Sequence, residues 1–165
     1  MTSGGGFASD ADRAFLQRAV DLATANVAEG GGPFAAIVVD ATGTVIGEGV
    51  NRVTRDLDPS AHGEVVAIRA ACQTVGHFAL PGATLYTSCE PCPMCLTTAL
   101  WARLDRVFYA ADRDDAARGG FDDSEFYELF TRDRTTWDVR VQPLRLPTAE
   151  HPFDAWRENV DRTDY

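Results

Sequence analysis

Three observations predict an α/β domain. Helices and strands alternate after a β-hairpin, an order that indicates parallel crossovers. Segments with apolar residues at helical spacing are separated by short, wholly apolar runs that suit buried strands. The chain has 165 residues, 45% of them hydrophobic and 24% charged, enough for one domain with a full core.

The elements follow in order. Asp10 to Glu29 carries Ala14, Phe15, Ala19, Leu22, Ala23 and Val27 at helical spacing, with Ser9 as its cap. Gly30-Gly31-Gly32-Pro33 stops that helix. Phe34 to Val39 reads as a buried strand. Asp40-Ala41-Thr42-Gly43 turns the chain, and Thr44 to Val53 returns as the second arm of a hairpin. Arg55 to Pro59 reads as a polar loop. His62 to Val75 carries Val65, Val66, Ile68, Ala71 and Cys72 on one helical face. Ala83 to Ser88 is predicted as a strand, Pro93 to Leu104 as a helix and Arg106 to Ala111 as a strand. Short helices follow at Asp114 to Gly120 and Asp123 to Thr131. A fifth strand is expected at Val139 to Leu146 and a terminal helix at Pro152 to Val160. No internal repeat is present. The sequence reads as a flexible tail over residues 1–8 followed by a single domain over 9–165.

Charge and cysteine content narrow the function. Net charge is −10, from 15 basic and 25 acidic residues, and an acidic surface repels a phosphate backbone. Nucleic acid is therefore not expected as a partner. The start, Met1-Thr2-Ser3-Gly4-Gly5-Gly6, lacks the basic and apolar regions of a secretory signal. No apolar run approaches membrane-spanning length. Cys89, Cys92 and Cys95 crowd together, with Cys72 apart. In such a chain they read as thiols or metal ligands in a reducing, cytoplasmic setting, not as a disulfide framework.

The chemistry is concentrated in His62-Gly63-Glu64 and Pro91-Cys92-Pro93-Met94-Cys95. One imidazole and two thiolates suit zinc, and three protein ligands leave a fourth position for water, as in catalytic sites. Cys92 and Cys95 lie three apart, so on a helix both sulfurs face one side. Pro93 fits a first helical turn, and a helix N-terminus favours thiolates. His62 and Glu64 share a pocket only if His62 stands at the helix start. Glu64 is not needed to hold a metal but is placed to move protons. Cys89 also forms a Cys-x-x-Cys with Cys92, so spacing alone leaves the ligand pair open, although Cys89 ends a strand and suits packing. His77 follows Gly76 at a helix end and reads as a cap or surface residue, and His151 precedes Pro152 in a loop with no partner at ligand spacing; both read as non-functional.

The joint pattern His-x-Glu … Pro-Cys-x-x-Cys is the known signature of zinc-dependent nucleobase deaminases. With it, the chain resembles the cytidine-deaminase-like superfamily, and within it the bacterial guanine deaminases. The resemblance runs through Gly31-Gly32-Pro33-Phe34, Asn51, Asp58 to Glu64, Leu85 to Cys95, Trp101-Ala102-Arg103, Val107 to Ala111, Gly120-Phe121-Asp122-Asp123 and Pro152 to Tyr165. Gly63 departs from it, since alanine is common there, and a looser pocket is expected.

The resemblance implies a three-layer α/β/α cytidine-deaminase-like fold with a five-stranded mixed sheet. It implies a domain-swapped homodimer, in which residues 147–165 close the partner's site, and hydrolytic deamination of guanine by zinc held on His62, Cys92 and Cys95. Glu64 then acts as base and acid. Asn51 and Asp123 would read the base, Phe34 and Trp101 would stack on it, Gly63 would let it approach, and Tyr165 would close the site. Phe34 and Trp101 also suit an ordinary core, Asp123 a helix cap, and the aromatic tail simple docking on its own core. Rival activities are deamination of guanosine, cytosine, a pterin or a triazine such as ammeline. A tRNA adenosine deaminase shares the motif but is disfavoured by charge. A zinc-stabilised module without catalysis would have no use for Glu64.

Overall fold

The computed structural model describes residues 8–165. The flexible tail expected at residues 1–8 falls, but for its last position, outside the described residues. The chain divides into two compact units, one reaching Tyr127 and the other spanning Glu128–Tyr165.

The first unit opens with α1, Asp10–Ala28. Ser9 caps it as expected: its hydroxyl accepts from the Asp12 N–H at 3.1 Å, and the Asp12 carboxylate accepts from the Ser9 N–H at 2.8 Å. This reciprocal box satisfies backbone donors that the first turn leaves without partners. Strands β1, Ala35–Val39, and β2, Val45–Val50, form the expected antiparallel hairpin. The segment after it departs from expectation. Val53–Asp56 winds one helical turn, α2, which ends at Leu57 with φ 53°. A single turn is too short to show apolar periodicity, so the sequence presents it as a loop.

Helix α3, Gly63–Val75, leads to β3, Thr84–Cys89, then α4, Pro93–Trp101, and β4, Arg106–Ala111. The sheet order is β2-β1-β3-β4. β1 pairs antiparallel with both neighbours, whereas β3 and β4 are parallel across α4. The short helix α5, Arg113–Arg118, and the start of α6, Ser124–Leu129, complete this unit.

Layering follows from side-chain alternation in β1. Ala36 and Val38 face α3 and α4, packing on Ala67, Ile68, Ala71 and Ala99. Ile37 and Val39 face the other way, with Tyr86, onto Phe15, Leu16 and Leu22 of α1. The sheet therefore lies between helices on both faces, as expected for an α/β/α sandwich. α3 approaches β2 very closely because β2 presents glycines. A Cβ on Gly47 would stand 2.3 Å from the Ala67 carbonyl oxygen, and one on Gly49 would stand 2.3 Å from the Ala67 nitrogen.

The sheet has four strands among the described residues, which corrects the five-stranded expectation. Val139 to Leu146 forms no strand. Its apolar alternation is interrupted by Pro143, which has no N–H to give a ladder, and a strand exists only through hydrogen bonds to a neighbour. The second unit instead contains a 3-10 turn at Arg134–Thr136, capped by the Asp133 carboxylate, and α7, His151–Glu158. Trp137 packs edge-on against Phe130, and Trp156 against Tyr165. No helix among the described residues is long and apolar enough to cross a membrane.

Candidate active site

Strand directions bring the marked residues to one end of the sheet. Phe34 precedes β1. Asn51 follows β2, which runs antiparallel to β1 and so ends beside it; its N–H donates to the Phe34 carbonyl at 2.8 Å. β3 is also antiparallel to β1, so Cys89, Glu90 and Cys92 emerge at that end. β4 runs parallel to β3 and delivers Arg113. His62 and Cys92 are the N-caps of α3 and α4, and helix N-termini favour anionic ligands such as thiolates. His62 stands in extended backbone, φ −69° and ψ 154°, before the first helical residue. That is the condition under which His62 and Glu64 can serve one pocket.

A cavity of about 610 Å³ opens there, within the range of ordinary small-molecule sites. His62, Glu64 and Cys92 line it, with Phe34, Asn51 and Asp123. Ligand atoms of His62, Cys92 and Cys95 lie within 4.8 Å of one another. Cys92 Sγ is 3.6 Å and Cys95 Sγ 3.5 Å from His62 Nδ1. Tetrahedral zinc, with bonds of roughly 2.3 Å to sulfur and 2.0 Å to nitrogen, holds such atoms about 3.5 Å apart. The donor set and its spacing therefore fit zinc. The bond that Cys95 gives pulls the Cys92 thiol down to about 4, while the same bond and burial push Cys95 up. Cys89 is separate from this group: its Sγ lies 3.7 Å from the Asp112 carbonyl oxygen, and burial raises its thiol to about 11. The group that could hold a metal therefore contains Cys92 and Cys95, and Cys89 stands outside it.

Glu64 is only 5% exposed. Thr87 Oγ1 donates to its Oε1 at 3.2 Å, and Cys95 Sγ lies 3.5 Å from its Oε2. Burial raises its carboxyl above the ordinary range, which brings a carboxyl closer to the pKa useful for proton transfer near neutrality. Asp123 is raised as well, first by burial and then by the charge of Cys92. The helix-cap reading of this pair of aspartates falls to Asp122, whose Oδ1 accepts from the Ser124 N–H at 3.0 Å. Asp123 is left facing the cavity. Phe34 meets Phe121 edge-on at 4.9 Å, so it is a cavity wall.

The cavity loop is itself pinned from α1. Asn26 is fully buried, and its Nδ2 donates to the carbonyls of Gly32 at 2.8 Å and Asn51 at 2.9 Å. A Cβ on Gly31 would stand 2.2 Å from that amide. Asn26, Glu90, Arg113 and Phe121 were not marked as site residues by sequence. Phe121 and Glu90 stood within the resemblance without a role. Asn26, Glu90 and Arg113 act through pairings distant in sequence, and local spacing carries no signal for those pairings.

Trp101 and Gly63, both expected at the site, lie away from the cavity in their own chain. Trp101 ends α4, whereas Cys92 and Cys95 sit at its start. Eight helical steps of about 1.5 Å separate Trp101 from Pro93, and Trp101 is 56% exposed under the Arg103 guanidinium. Gly63 faces β1, not the cavity: a Cβ there would lie 2.8 Å from Ala35 Cα. Its missing side chain therefore tightens a helix–strand contact and does not loosen the pocket. Tyr165 belongs to the second unit, where its ring stands 6.0 Å from that of Trp156.

Known proteins bear on this geometry. Residues 9–111 match the family described as cytidine and deoxycytidylate deaminase zinc-binding region. Guanine deaminase from Bacillus subtilis is 47% identical over 152 residues, covering 92% of this chain and 97% of that protein. The X-ray structure of guanine deaminase from that organism superposes with a TM-score of 0.89 at 46% identity, covering 93% of this chain and 98% of that one. The guanine deaminase structure from Nitrosomonas europaea matches with a TM-score of 0.65 at 33% identity, covering 71% and 66%. A match across residues 9–111 and a nearly full-length relative show that the chain belongs to the cytidine and deoxycytidylate deaminase zinc-binding family.

Proposed function

We propose that the protein deaminates guanine by hydrolysis, releasing xanthine and ammonia, with zinc held by His62, Cys92 and Cys95. The observation that carries this reading is a buried carboxylate, Glu64, beside a His-Cys-Cys cluster on the wall of a cavity. The Bacillus subtilis relative at 47% identity supports the choice of guanine. When bound, zinc supplies Lewis acidity, which makes water a nucleophile near neutral pH. Glu64 takes the proton that water gives up and passes it to the ring nitrogen beside the amino-bearing carbon. The remaining hydroxide bonds to that carbon; Glu64 then takes the proton of the added hydroxyl and delivers it to the amino group, so that the carbon–oxygen bond becomes a carbonyl as the carbon–nitrogen bond breaks and ammonia leaves. Thr87 holds Glu64 Oε1 during both transfers. Phe34 covers a face of the base. Asn51 and Asp123 hydrogen-bond its edges, Asp123 accepting from an imidazole N–H.

Residues 9–165 act as one functional domain in this reading, and 147–165 close the site of a second copy in a swapped homodimer. Two features support exchange: β4 is an edge strand, and the apolar side chains of Val139 and Leu144 are strongly exposed. Exchange of an identical element is a low-cost route to dimers. Four free cysteines suit a cytoplasmic setting. The test is ammonia release from a panel of purines, nucleosides, pyrimidines and triazines, with zinc counted per chain. Guanine should lead the panel, and turnover of another heterocycle with guanine inert would overturn the assignment.

A further inference from the structure

The carboxylate of Asp123 bonds no other residue among the described ones, although its reading as a base-binding group requires a fixed position. Its segment cannot supply that alone. α6 spans Ser124–Leu129, and so short a helix does not hold itself in water. One turn beyond Asp123, Tyr127 falls on the same helical face. Its hydroxyl donates to the carbonyl of Pro91, the residue immediately before Cys92.

Tyr127 is in turn held from the other side of its ring. The Arg113 guanidinium lies 4.0 Å from the ring centroid, a cation–π geometry. That guanidinium is fixed by Glu90: Nε donates to Oε2 at 3.2 Å, Nη2 donates to Oε1, and the Arg113 backbone N–H also reaches Oε2 at 3.2 Å. Glu90 is anchored through its own N–H to the Ala111 carbonyl at 2.8 Å. The three consecutive residues Glu90, Pro91 and Cys92 thus supply the ion-pair partner, the acceptor and a metal ligand. Their bonds tie α5 and α6 to the ligand loop.

We propose that Tyr127, clamped by the Arg113–Glu90 pair, is the positioning residue that fixes Asp123 relative to Cys92. The proposal rests on the reading of Asp123 as the group that binds the purine edge. Tyr127 touches no reacting atom. Its contribution is the separation between the group that holds the base and the group that holds the metal.

Tyr127→Phe removes the hydroxyl and keeps the ring beneath Arg113. In the zinc-loaded full chain, kcat/KM for guanine should fall about tenfold, the scale of one hydrogen bond. Zinc content and the urea midpoint should stay at the parent's values. In an Asp123→Asn background the same change should cost nothing further. Additive losses would overturn the proposal, because independent sites add and a positioning residue acts through its client. Loss of zinc or a lowered midpoint would also overturn it, assigning Tyr127 a general structural role. If the parent releases no ammonia from guanine, the functional reading fails separately, and amide exchange at Ser124–Tyr127 decides. Faster exchange there in Tyr127→Phe supports the proposal, and unchanged exchange overturns it.

Discussion

Replacing Gly63 by alanine tests how tightly α3 is seated on β1. A Cβ at Gly63 would lie 2.8 Å from Ala35 Cα and 3.2 Å from the Ala35 nitrogen and carbonyl carbon. Carbon atoms rest about 3.5–4.0 Å apart, so the contact must open by roughly 1 Å. All three neighbours are main chain, and no rotamer change can relieve them. Overpacking of this kind costs about 1–3 kcal/mol. Better helix propensity returns up to about 1 kcal/mol. The net expectation is a loss of about 1 kcal/mol, small beside the effect on turnover. Gly63 lies between His62 and Glu64, so a shift of the helix start moves both, and a misplacement near 1 Å can cost about 10²-fold in rate. Urea unfolding of the zinc-loaded protein should show a modestly lower midpoint, while kcat/KM for guanine should fall tenfold or more (~10-fold as a lower bound). Ala35→Gly should not rescue it, because the clash is with backbone. A Gly63→Ala protein at least as stable and as active as the parent would refute the argument.

Four further outcomes are expected. Glu64→Gln should retain zinc and lose on the order of 10²–10⁴-fold in kcat; activity within a few-fold of the parent would assign the proton transfers to another group. Cys92→Ala and Cys95→Ala should each lower the zinc bound per chain, and full retention by both would remove them from the ligand set. Deleting the last residues through Tyr165 should impair guanine turnover at unchanged zinc content; activity regained on mixing truncated and Glu64→Gln chains would establish closure across the dimer, and full activity of the truncated chain would exclude it. Asp12, held by the Tyr86 hydroxyl at 2.5 Å and by Ser9, has its carboxyl lowered from 3.8 to about 2. A depressed carboxyl stabilises the fold above its unfolded pKa, and that contribution, about 2 kcal/mol, is lost as pH falls from about 4 to 2. Tyr86→Phe should shrink this loss in urea titrations across that window, and an unchanged acid dependence would show that the bond carries none of it.

What was legible in the sequence was whatever local chemistry determines. Ser9 and the apolar spacing behind it place α1, and β4 spans Arg106–Ala111 as expected. His62, Glu64, Cys92 and Cys95 could be marked because metal chemistry restricts both residue type and spacing. The failures have physical causes. Trp101 shares α4 with Cys95, but helical rise carries it away from the His62, Cys92 and Cys95 cluster. Gly63 is defined by what its hydrogen faces, a relation between α3 and β1 that no neighbouring residue reveals. Val139 to Leu146 has strand-like alternation, yet pairing is a property of two segments. The bonds of Asn26, Glu90 and Tyr127 join residues 25, 23 and 36 positions apart, beyond the reach of any local pattern.

The division between legible and illegible residues also has a functional meaning. A metal constrains its ligands through short, directional bonds, so the ligand motif is compact and chemically restricted. A flat, neutral base imposes no such compactness. It can be held by a wall from the start of β1, an amide from the end of β2 and a carboxylate from the start of α6, each anchored separately. Asn26 anchors the first two through the carbonyls of Gly32 and Asn51, and Tyr127 anchors the segment of the third through Pro91. Changes in the anchors can therefore move the base relative to the metal while every ligand stays in place. On the proposed reading, substrate choice is then set less by the zinc motif than by the buried amide of α1 and the clamp on α6.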